Sequence, residues 1–438
     1  MSIIIPPRGN GHMQWPNGSM VWGQGPKTEL PLFLAGVGFA IFLFGVSRVG
    51  IDFIPSLTNV FWAAGWAVVA YTAAFRADLL AQATLNNKML LAAAFIATLS
   101  ALWSLMPSLS AFRGVLLILN IMVGFVAFHH FGLRRTLHVI FWFCLIAQVG
   151  SFLLIASGHH AAFDHNGYVP KGLFPHKNNL AMNAVMLFFT SLILFAHGWR
   201  RILSLVGAAS ALTGLILSTS GTGLIVCVLM FGILCGCAVV SYGMRATQFI
   251  AGLGLCSLVA TVLMIVFSGY NPYIELLNSL GKDTTLTGRT VLWEYAFNVF
   301  ADHPWLGIGY FTYWNTPETT ASSLIIIMGV KLNSFHNNFL DVLVGVGLLG
   351  LILFVIAVFG LLFRTLYQFV VTRDALLAWP FAYVCFMLIY CMSEYPLFWN
   401  SEYQMLFAFV GAAAAAAPEK LAARHRPEPL GDVELITA

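Results

Sequence analysis

Residues 338–363 read NFLDVLVGVGLLGLILFVIAVFGLLF, with a single charged side chain, Asp341, close to the start. About 20 apolar residues in a helix are enough to cross the roughly 30 Å of hydrocarbon in a bilayer. Because lipid offers no partner to backbone N–H and C=O groups, such a segment is expected to be a helix and not an open strand. The run therefore predicts a transmembrane helix.

The same pattern recurs along the whole chain. Its 438 residues are 59% hydrophobic and 9% charged, and the mean hydropathy of +0.85 excludes a set of soluble domains. We predict an all-α polytopic membrane protein of about 12 transmembrane helices with one long extracytoplasmic loop. The twelve apolar runs are 31–47, 57–75, 89–106, 111–131, 137–157, 179–198, 202–219, 222–241, 247–268, 338–363, 376–393 and 402–417.

The positions of Lys and Arg predict the orientation of these spans. With the N-terminus in the cytoplasm, 14 of the 21 Lys and Arg residues fall on inside segments and seven on outside segments. The positive-inside rule favours this orientation. Residues 29–417 are then the membrane domain, with an extracytoplasmic loop at 269–336. Residues 1–28 are expected to be a disordered cytoplasmic tail, and residues 418–438 a second cytoplasmic tail.

Polar residues are concentrated in the long loop. It contains TGRTVLWEYAFNVFADHPWLGIGYF at 287–311 and leads into KLNSFHNNFLD at 331–341. A chain this poor in charge rarely groups polar residues without a role, so we interpret the loop as the functional surface. An amphipathic helix is predicted over 290–301 and is expected to lie along the membrane surface. Its apolar stripe is formed by Leu292, Ala296, Val299 and Phe300.

Arg289 stands at the first turn of this predicted helix. A cation there is repelled by the helix dipole unless an anion shares the site. The planar guanidinium of arginine also matches two phosphate oxygens at once. The position of Arg289 therefore indicates an anionic ligand.

Two more predicted helices begin at the same outer face with polar residues. PHKNNLAMNAV spans 175–185 and SFHNNFLDVLV spans 334–344. One interpretation is simple capping, for which Asn is well suited. The other is anion binding by the free N–H groups of the first turn. The residues concerned are His176, Lys177, Asn178, His336 and Asn337.

Arg113 lies at the outer start of the run 111–131 and also has two interpretations. Its aliphatic stem suits a residue that extends its charge to the membrane interface. Alternatively, its guanidinium contacts the substrate.

We predict no metal site and no cofactor. The outer carboxylates form no DxD pair, which is the arrangement that holds a divalent cation beside a diphosphate. His159, His160 and His165, in the loop 158–178, match no strong zinc pattern. The seven cysteines lie in or at the ends of apolar runs, which favours neither a disulfide nor zinc. If the ligand is a diphosphate, cationic side chains must neutralise it.

The order of motifs in the second half of the chain resembles the O-antigen ligase / O-antigen polymerase superfamily. These motifs are GR at 288–289, Trp293, HPWLGIGYF at 303–311, HNNFLD at 336–341 and GVGLLGLILF at 345–354. GLFPHKNNLA at 172–181 is similar to the corresponding segment of exopolysaccharide-polymerase members. The motifs cover roughly 170–225 and 287–352.

The resemblance implies a glycosyltransferase-C-like fold and an inverting, metal-independent transferase. Such an enzyme acts at the periplasmic face of the bacterial inner membrane on undecaprenyl-diphosphate-linked saccharide. Arg289 and His336 match the family's catalytic positions. At STSGTG, residues 218–223, Gly221 stands where a further arginine is expected, and Lys177 is the candidate replacement. The expected diphosphate-binding residues are Arg289, Lys177, His176, Asn178, Asn337 and Arg113.

Three functions remain in competition. The first is a polysaccharide polymerase, with an acceptor glycan or lipid as the second substrate. The second is an O-antigen ligase that transfers glycan to lipid A core. The third is a lipid-linked-sugar transporter, which the scarcity of ionisable residues inside the spans disfavours. Membrane lipids and other polysaccharide export proteins are the expected partners, and nucleic acid is not.

Overall fold

A computed structural model describes residues 57–164, 169–242, 289–329, 332–399 and 401–416. These ranges contain helices and no β-strand, so the all-α prediction is confirmed there. Short 3-10 helices occur at Ser100–Leu102, His160–Ala162 and Tyr313–Asn315. The α-helices are α1 (Leu57–Phe75), α2 (Ala77–Asn86), α3 (Lys88–Leu99), α4 (Pro107–Ala156), α5 (Lys177–Ala196), α6 (Arg201–Ser218), α7 (Gly221–Tyr242), α8 (Arg289–Asp302), α9 (Ala321–Met328), α10 (Asn338–Thr372), α11 (Ala375–Cys391) and α12 (Glu402–Ala415).

Five of these helices, α4, α5, α6, α7 and α10, are long and apolar enough to cross a membrane. The pair α2 and α3, bent by 93° at Asn87, makes a sixth if it is one broken span. Ten of the twelve predicted runs coincide with helices, and the runs 31–47 and 247–268 lie outside the described residues. The total of twelve spans therefore stays a prediction, and so do both tails.

Glycines interrupt the two longest helices. Gly132 has a φ of 65° within α4, and the segments on either side correspond to two predicted runs. Each is long enough at 1.5 Å per residue to cross the bilayer alone. Gly347 has a φ of 68° within α10, so the run 338–363 is not the continuous helix that its composition suggested. Both glycines adopt a left-handed conformation that L side chains rarely tolerate.

Residues 304–309 lie against the break at Gly347. The backbone N–H of Leu348 donates to the carbonyl of Pro304 at 2.8 Å, and Ile308 donates to Val344 at 3.0 Å. A side chain on Gly347 would meet the backbone of Trp305. These bonds satisfy backbone groups that the interrupted helix leaves open. The loop and the first segment of α10 are thereby held together.

The described part of the long loop packs on the protein. The predicted amphipathic helix is confirmed as α8. Two residues of its apolar stripe, Leu292 and Ala296, are buried in a cluster with Leu324 of α9 and Leu343 of α10, so this part of the stripe faces the protein, and the position of α8 relative to the membrane surface stays a prediction. The described part of the loop therefore packs against the first turns of α10.

The last helix of the described residues, α12, is buried among the other helices. Its 14 residues are shorter than the predicted run, and all of them from Glu402 to Ala414 are buried. Asn120 of α4 donates to the carbonyl of Ser401 at 2.8 Å, and Gln368 of α10 donates to that of Ala416 at 2.7 Å. Small residues allow this close packing, as at Gly124, where a side chain would meet the Met405 carbonyl.

Candidate active site

Glu394 lies at the centre of a polar cluster formed by the starts of α5 and α8, the turn before α10 and the segment after α11. Three residues past the end of α11, it is 8% exposed. Its Oε1 accepts a hydrogen bond from Asn178 at 2.8 Å and lies 3.5 Å from Arg289 Nη2. Its Oε2 lies 3.1 Å from His336 Nδ1. Residues that are far apart in sequence thus meet at one carboxylate.

Arg289 opens α8, and its guanidinium turns toward Glu394. The sequence indicated that an anion must accompany an arginine at this position. In the structure a protein carboxylate supplies that negative charge, and 3.5 Å is long for a charge-assisted hydrogen bond. With 16% of its side chain exposed, Arg289 is shielded from bulk water but not closed off.

His336 occupies a turn with a left-handed backbone, at a φ of 50°. Its own N–H donates to Ser334 Oγ at 3.2 Å. This conformation is uncommon outside glycine and orients the imidazole toward Glu394. If Nδ1 carries the proton and donates it to Glu394, Nε2 is left as an acceptor. Such a tautomer suits a base.

Asn337 and His176 cap the helices that follow them. Asn337 Oδ1 accepts from the N–H groups of Phe339 and Leu340 at 3.0 and 3.3 Å. His176 Nδ1 accepts from the N–H of Asn178 at 3.2 Å. These backbone N–H groups are therefore already bonded, as the capping interpretation expected, although at α5 the capping side chain is His176 and not an Asn. A direct role of Asn337 or His176 toward a diphosphate stays a prediction.

Asn178 joins Glu394 to the start of α7. Its Nδ2 donates to the carboxylate, while its Oδ1 accepts from Ser220 Oγ at 2.9 Å. Ser220 directly precedes Gly221, the position at which the resemblance implies an arginine. The hydrogen-bond network therefore extends to the residue before Gly221, where an arginine was expected. Lys177, the candidate replacement, is the first residue of α5 beside His176.

Burial and nearby charges shift the pKa of Glu394, and also that of His176, in opposite directions. Burial by itself raises the pKa of Glu394, but the hydrogen bond and charge of His336, the charge of Arg289 and the Asn178 bond hold that pKa below its usual value. Burial lowers the pKa of His176, and Lys177 lowers it further against the opposing effect of Glu394. The cluster therefore favours an ionised Glu394 and a neutral His176 at neutral pH.

Arg113 lies on the far side of an aromatic stack. Its guanidinium is 4.7 Å from the centre of the Phe311 ring, and Phe311 stacks on Trp399 at 4.1 Å. Tyr395 lies between Trp399 and His336, with ring centres 4.8 and 6.5 Å away. The structure therefore gathers Arg289, His336 and Asn178 at Glu394 and does not place Arg113 with them.

Glu394 is the central residue that sequence reasoning did not select. A usable signal existed, since MSEYPLFWNSEY at 392–403 is a polar break between two apolar runs. No group of three or more metal-binding side chains occurs in the described ranges.

Comparison with known proteins gives two matches. The sequence model described as O-Antigen ligase matches residues 204–355. The Exopolysaccharide production protein ExoQ of Rhizobium meliloti (strain 1021) is 30% identical over 284 residues. That alignment takes in 62% of this chain and 64% of the relative, so the chain spans less than two thirds of its length. The resemblance to the O-antigen ligase / polymerase superfamily is confirmed.

The O-antigen ligase match includes part of the cluster. Ser220, Arg289 and His336 lie within residues 204–355, whereas Asn178 and Glu394 lie outside. The break at Gly347 and the segment 304–309 that binds it are also inside. The matched region thus supplies the arginine, the histidine and the loop that carries both, and the rest of the chain supplies the carboxylate.

Proposed function

We propose that this chain is an inner-membrane polysaccharide polymerase that transfers saccharide from an undecaprenyl-diphosphate donor to a growing glycan. The observation that carries the proposal is the convergence of Arg289 and His336 on Glu394. A cation for a diphosphate and a base for a hydroxyl are the two functions that such a transfer needs. The confirmed resemblance and the name of the exopolysaccharide relative support the same activity.

The proposed reaction is a single displacement at the anomeric carbon. The acceptor hydroxyl oxygen forms a bond to C1 of the donor sugar, the bond from C1 to the diphosphate oxygen breaks, and the configuration inverts. The hydroxyl proton goes to His336 Nε2, and undecaprenyl diphosphate leaves with the electron pair. Glu394 holds the imidazole through Nδ1 and stabilises the imidazolium that forms.

Arg289 neutralises the leaving group. A diphosphate leaves readily once its charge is balanced, so positioning and electrostatics supply most of the catalysis. When the donor binds, Arg289 gives up its 3.5 Å contact with Glu394 and binds two phosphate oxygens in a bidentate manner. Lys177 is the proposed second cation, in place of the arginine absent at Gly221.

The site is proposed to face the periplasm and to need no metal. The charge distribution that puts both termini inside supports the first point, because α8 and the start of α10 follow from an outside loop. Labelling of single cysteines at Ser322 or Asn315 with an impermeant reagent should succeed from the periplasm. Protection at both positions would overturn the orientation.

The direct experiment uses purified protein in nanodiscs with an undecaprenyl-diphosphate-linked repeat unit in excess EDTA. Polymer of more than one repeat is the expected product. Activity that disappears with EDTA and returns with magnesium would refute the metal-independent mechanism. If the folded protein transfers no sugar, the proposed function is refuted.

An O-antigen ligase is the second candidate. The description of the matching sequence model favours it, and the donor chemistry is the same. Lipid A core as the acceptor distinguishes the two. Glycan found on lipid A core without polymer growth would identify a ligase.

A further inference from the structure

A cavity lies at the bend between α2 and α3, where the second segment of α10 and one residue of α12 complete its wall. Its volume is about 350 Å³, and pockets that hold small ligands measure roughly 300–1,000 Å³. Arg364 is part of the wall and lies 17 residues beyond Gly347, about 26 Å along the helix at 1.5 Å per residue. Most of the length of α10 therefore separates this cavity from the site around Glu394.

Arg364 binds the bend and keeps an unpaired positive charge. Its Nη1 donates to the carbonyl of Asn86 at 2.9 Å, and its Nη2 donates to Oδ1 of Asn87 at 3.0 Å. Both acceptors are neutral, and within the described residues Arg364 has no carboxylate partner and its Nε has no acceptor. Because a half-buried charge is normally paired, an arginine in this state beside a cavity points to an anion from outside the chain.

Lys88 adds a second positive charge to the same cavity. It is the first residue of α3, it is exposed, and it forms no ion pair within the described ranges. Asn87 precedes it but gives α3 no side-chain cap, and its Oδ1 accepts from Arg364 instead. The lining residues of the described chain include no Asp or Glu. Two cations beside the N-terminus of a helix favour a negatively charged ligand.

The rest of the cavity wall is apolar. Ile356, Gly360 and Arg364 follow one another at intervals of four residues, so they share one face of α10. A side chain on Gly360 would meet no atom within 4 Å, which leaves this part of the wall open. The cavity thus has a cationic end and an apolar part that continues along α10 for about 12 Å. The other apolar residues of the wall are Met89, Leu90, Ala357, Leu361 and Phe407.

We infer that this cavity binds an anionic phospholipid, with its phosphate between Lys88 and Arg364 and an acyl chain along the apolar face of α10. The phosphate diester carries one negative charge, which the two cations neutralise with charge-assisted hydrogen bonds. The acyl chain covers the apolar wall, which a free phosphate ion would leave exposed. The predicted orientation puts both cations at the cytoplasmic side, where basic residues attract anionic lipid headgroups.

Two substitutions test the two ends of the cavity separately. Lys88→Gln removes a positive charge at an exposed position and leaves the bonds of Arg364 in place. Gly360→Leu puts a side chain into the open, apolar part at a helical position, so it blocks the acyl chain without a clash inside the protein. Each has a matched control away from the cavity. Arg201→Gln changes an exposed cation at the first residue of α6, and Gly232→Leu fills equally open space on α7.

The measurement is lipid binding to delipidated full-length protein in detergent, followed by native mass spectrometry. The probes are dioleoyl-phosphatidylglycerol, phosphatidylcholine with the same acyl chains, inorganic phosphate and undecaprenyl diphosphate. We expect phosphatidylglycerol to bind at least tenfold more tightly than phosphatidylcholine, because choline cancels the charge of the phosphate. Lys88→Gln and Gly360→Leu should each weaken phosphatidylglycerol binding at least tenfold, with both controls unchanged. The loss of one hydrogen bond to a charged group has an effect of this size.

Equal affinity of the wild-type protein for the two phospholipids would overturn the inference, and so would unchanged phosphatidylglycerol binding in Lys88→Gln or in Gly360→Leu. Displacement of phosphatidylglycerol by millimolar inorganic phosphate would show a phosphate site that does not use the acyl chain, which also contradicts it. If undecaprenyl diphosphate binds more tightly than phosphatidylglycerol and loses affinity in the same two variants, the cavity holds the polyprenyl carrier and not a phospholipid.

Discussion

The Nδ1 atom of His336 lies 3.1 Å from Oε2 of Glu394, across 58 residues of sequence. The same carboxylate faces Arg289 through its other oxygen. One buried acid therefore links a cation at the start of α8 to a histidine just before α10. This sharing distinguishes the cluster from a surface ion pair, because a change at Glu394 alters both partners at once.

The Glu394→Gln substitution tests directly whether one carboxylate serves both Arg289 and His336. Gln keeps an acceptor for Asn178 but removes the charge that orients and stabilises His336. We expect turnover to fall by roughly 10²–10⁴-fold, as when the carboxylate behind a catalytic histidine is neutralised. The measurement is polymer formation at matched membrane expression. The control is Glu318→Gln, which changes an exposed carboxylate in the long loop, and equal activity of the two variants would refute the role of Glu394.

Substitutions of Arg289 and His336 should reduce the transfer activity in different ways. Arg289→Ala is expected to add about 2–4 kcal/mol to the barrier, by analogy with a lost oxyanion donor. Arg289→Lys should restore activity only in part, because an ammonium lacks the bidentate fork. His336→Asn should fold normally, since Asn tolerates a left-handed backbone, and should lower kcat more than it raises the donor KM. Full activity of His336→Asn would exclude the histidine as the base.

The fold was largely predictable where composition decides it. Ten of the apolar runs fall on nine helices, with two runs on α4, because burial in lipid leaves a helix as the stable form. The break at Gly132 falls between the predicted runs 111–131 and 137–157, whereas the break at Gly347 lies inside the run 338–363 and was not predicted, since a glycine inside an apolar run does not by itself reveal a positive φ. The position of α12 inside the bundle was also missed, because apolar residues look the same whether they face lipid or protein.

Two residues of the candidate site were selected from the sequence, but the carboxylate that joins them was not. Arg289 and His336 were selected from helix ends and from the resemblance, and the structure brings them together. Glu394 was missed because its role depends on contacts with α5, α8 and α10 that no local pattern shows. For Asn337 and His176, in contrast, the local sequence is sufficient, because their side chains bond to the first N–H groups of the helix that follows each of them.

Gly347 and Gly360 form a matched pair within α10. Gly347→Ala places a Cβ against the backbone of Trp305 at a positive φ and should destabilise the protein by several kcal/mol, on the order of 2–4. Gly360→Ala meets open space at a helical position and should stabilise by up to about 1 kcal/mol. Thermal unfolding of both purified variants measures the difference. Equal unfolding temperatures would contradict the break at Gly347.

His176 should make stability depend on pH. Because the pKa of His176 is lowered in the folded protein, the unfolded chain binds a proton below about pH 6.5 that the native site does not. Stability should therefore fall as the pH decreases from 6.5 toward the native pKa. His176→Asn keeps an N-cap without a titrating group, so its unfolding temperature should vary less between pH 7.5 and 5.5. An identical pH profile in both proteins would exclude His176 as the source.

The central claim is that Arg289, His336 and Glu394 act as one unit in sugar transfer. The most direct measurement is the rate of polymer formation from undecaprenyl-diphosphate-linked repeat units for Glu394→Gln, His336→Asn and the double variant, each purified and shown to be folded. If the residues act together, the double variant should be no slower than the slower single variant, because the second change removes nothing further. Losses that multiply would show that Glu394 and His336 act independently and would contradict the account.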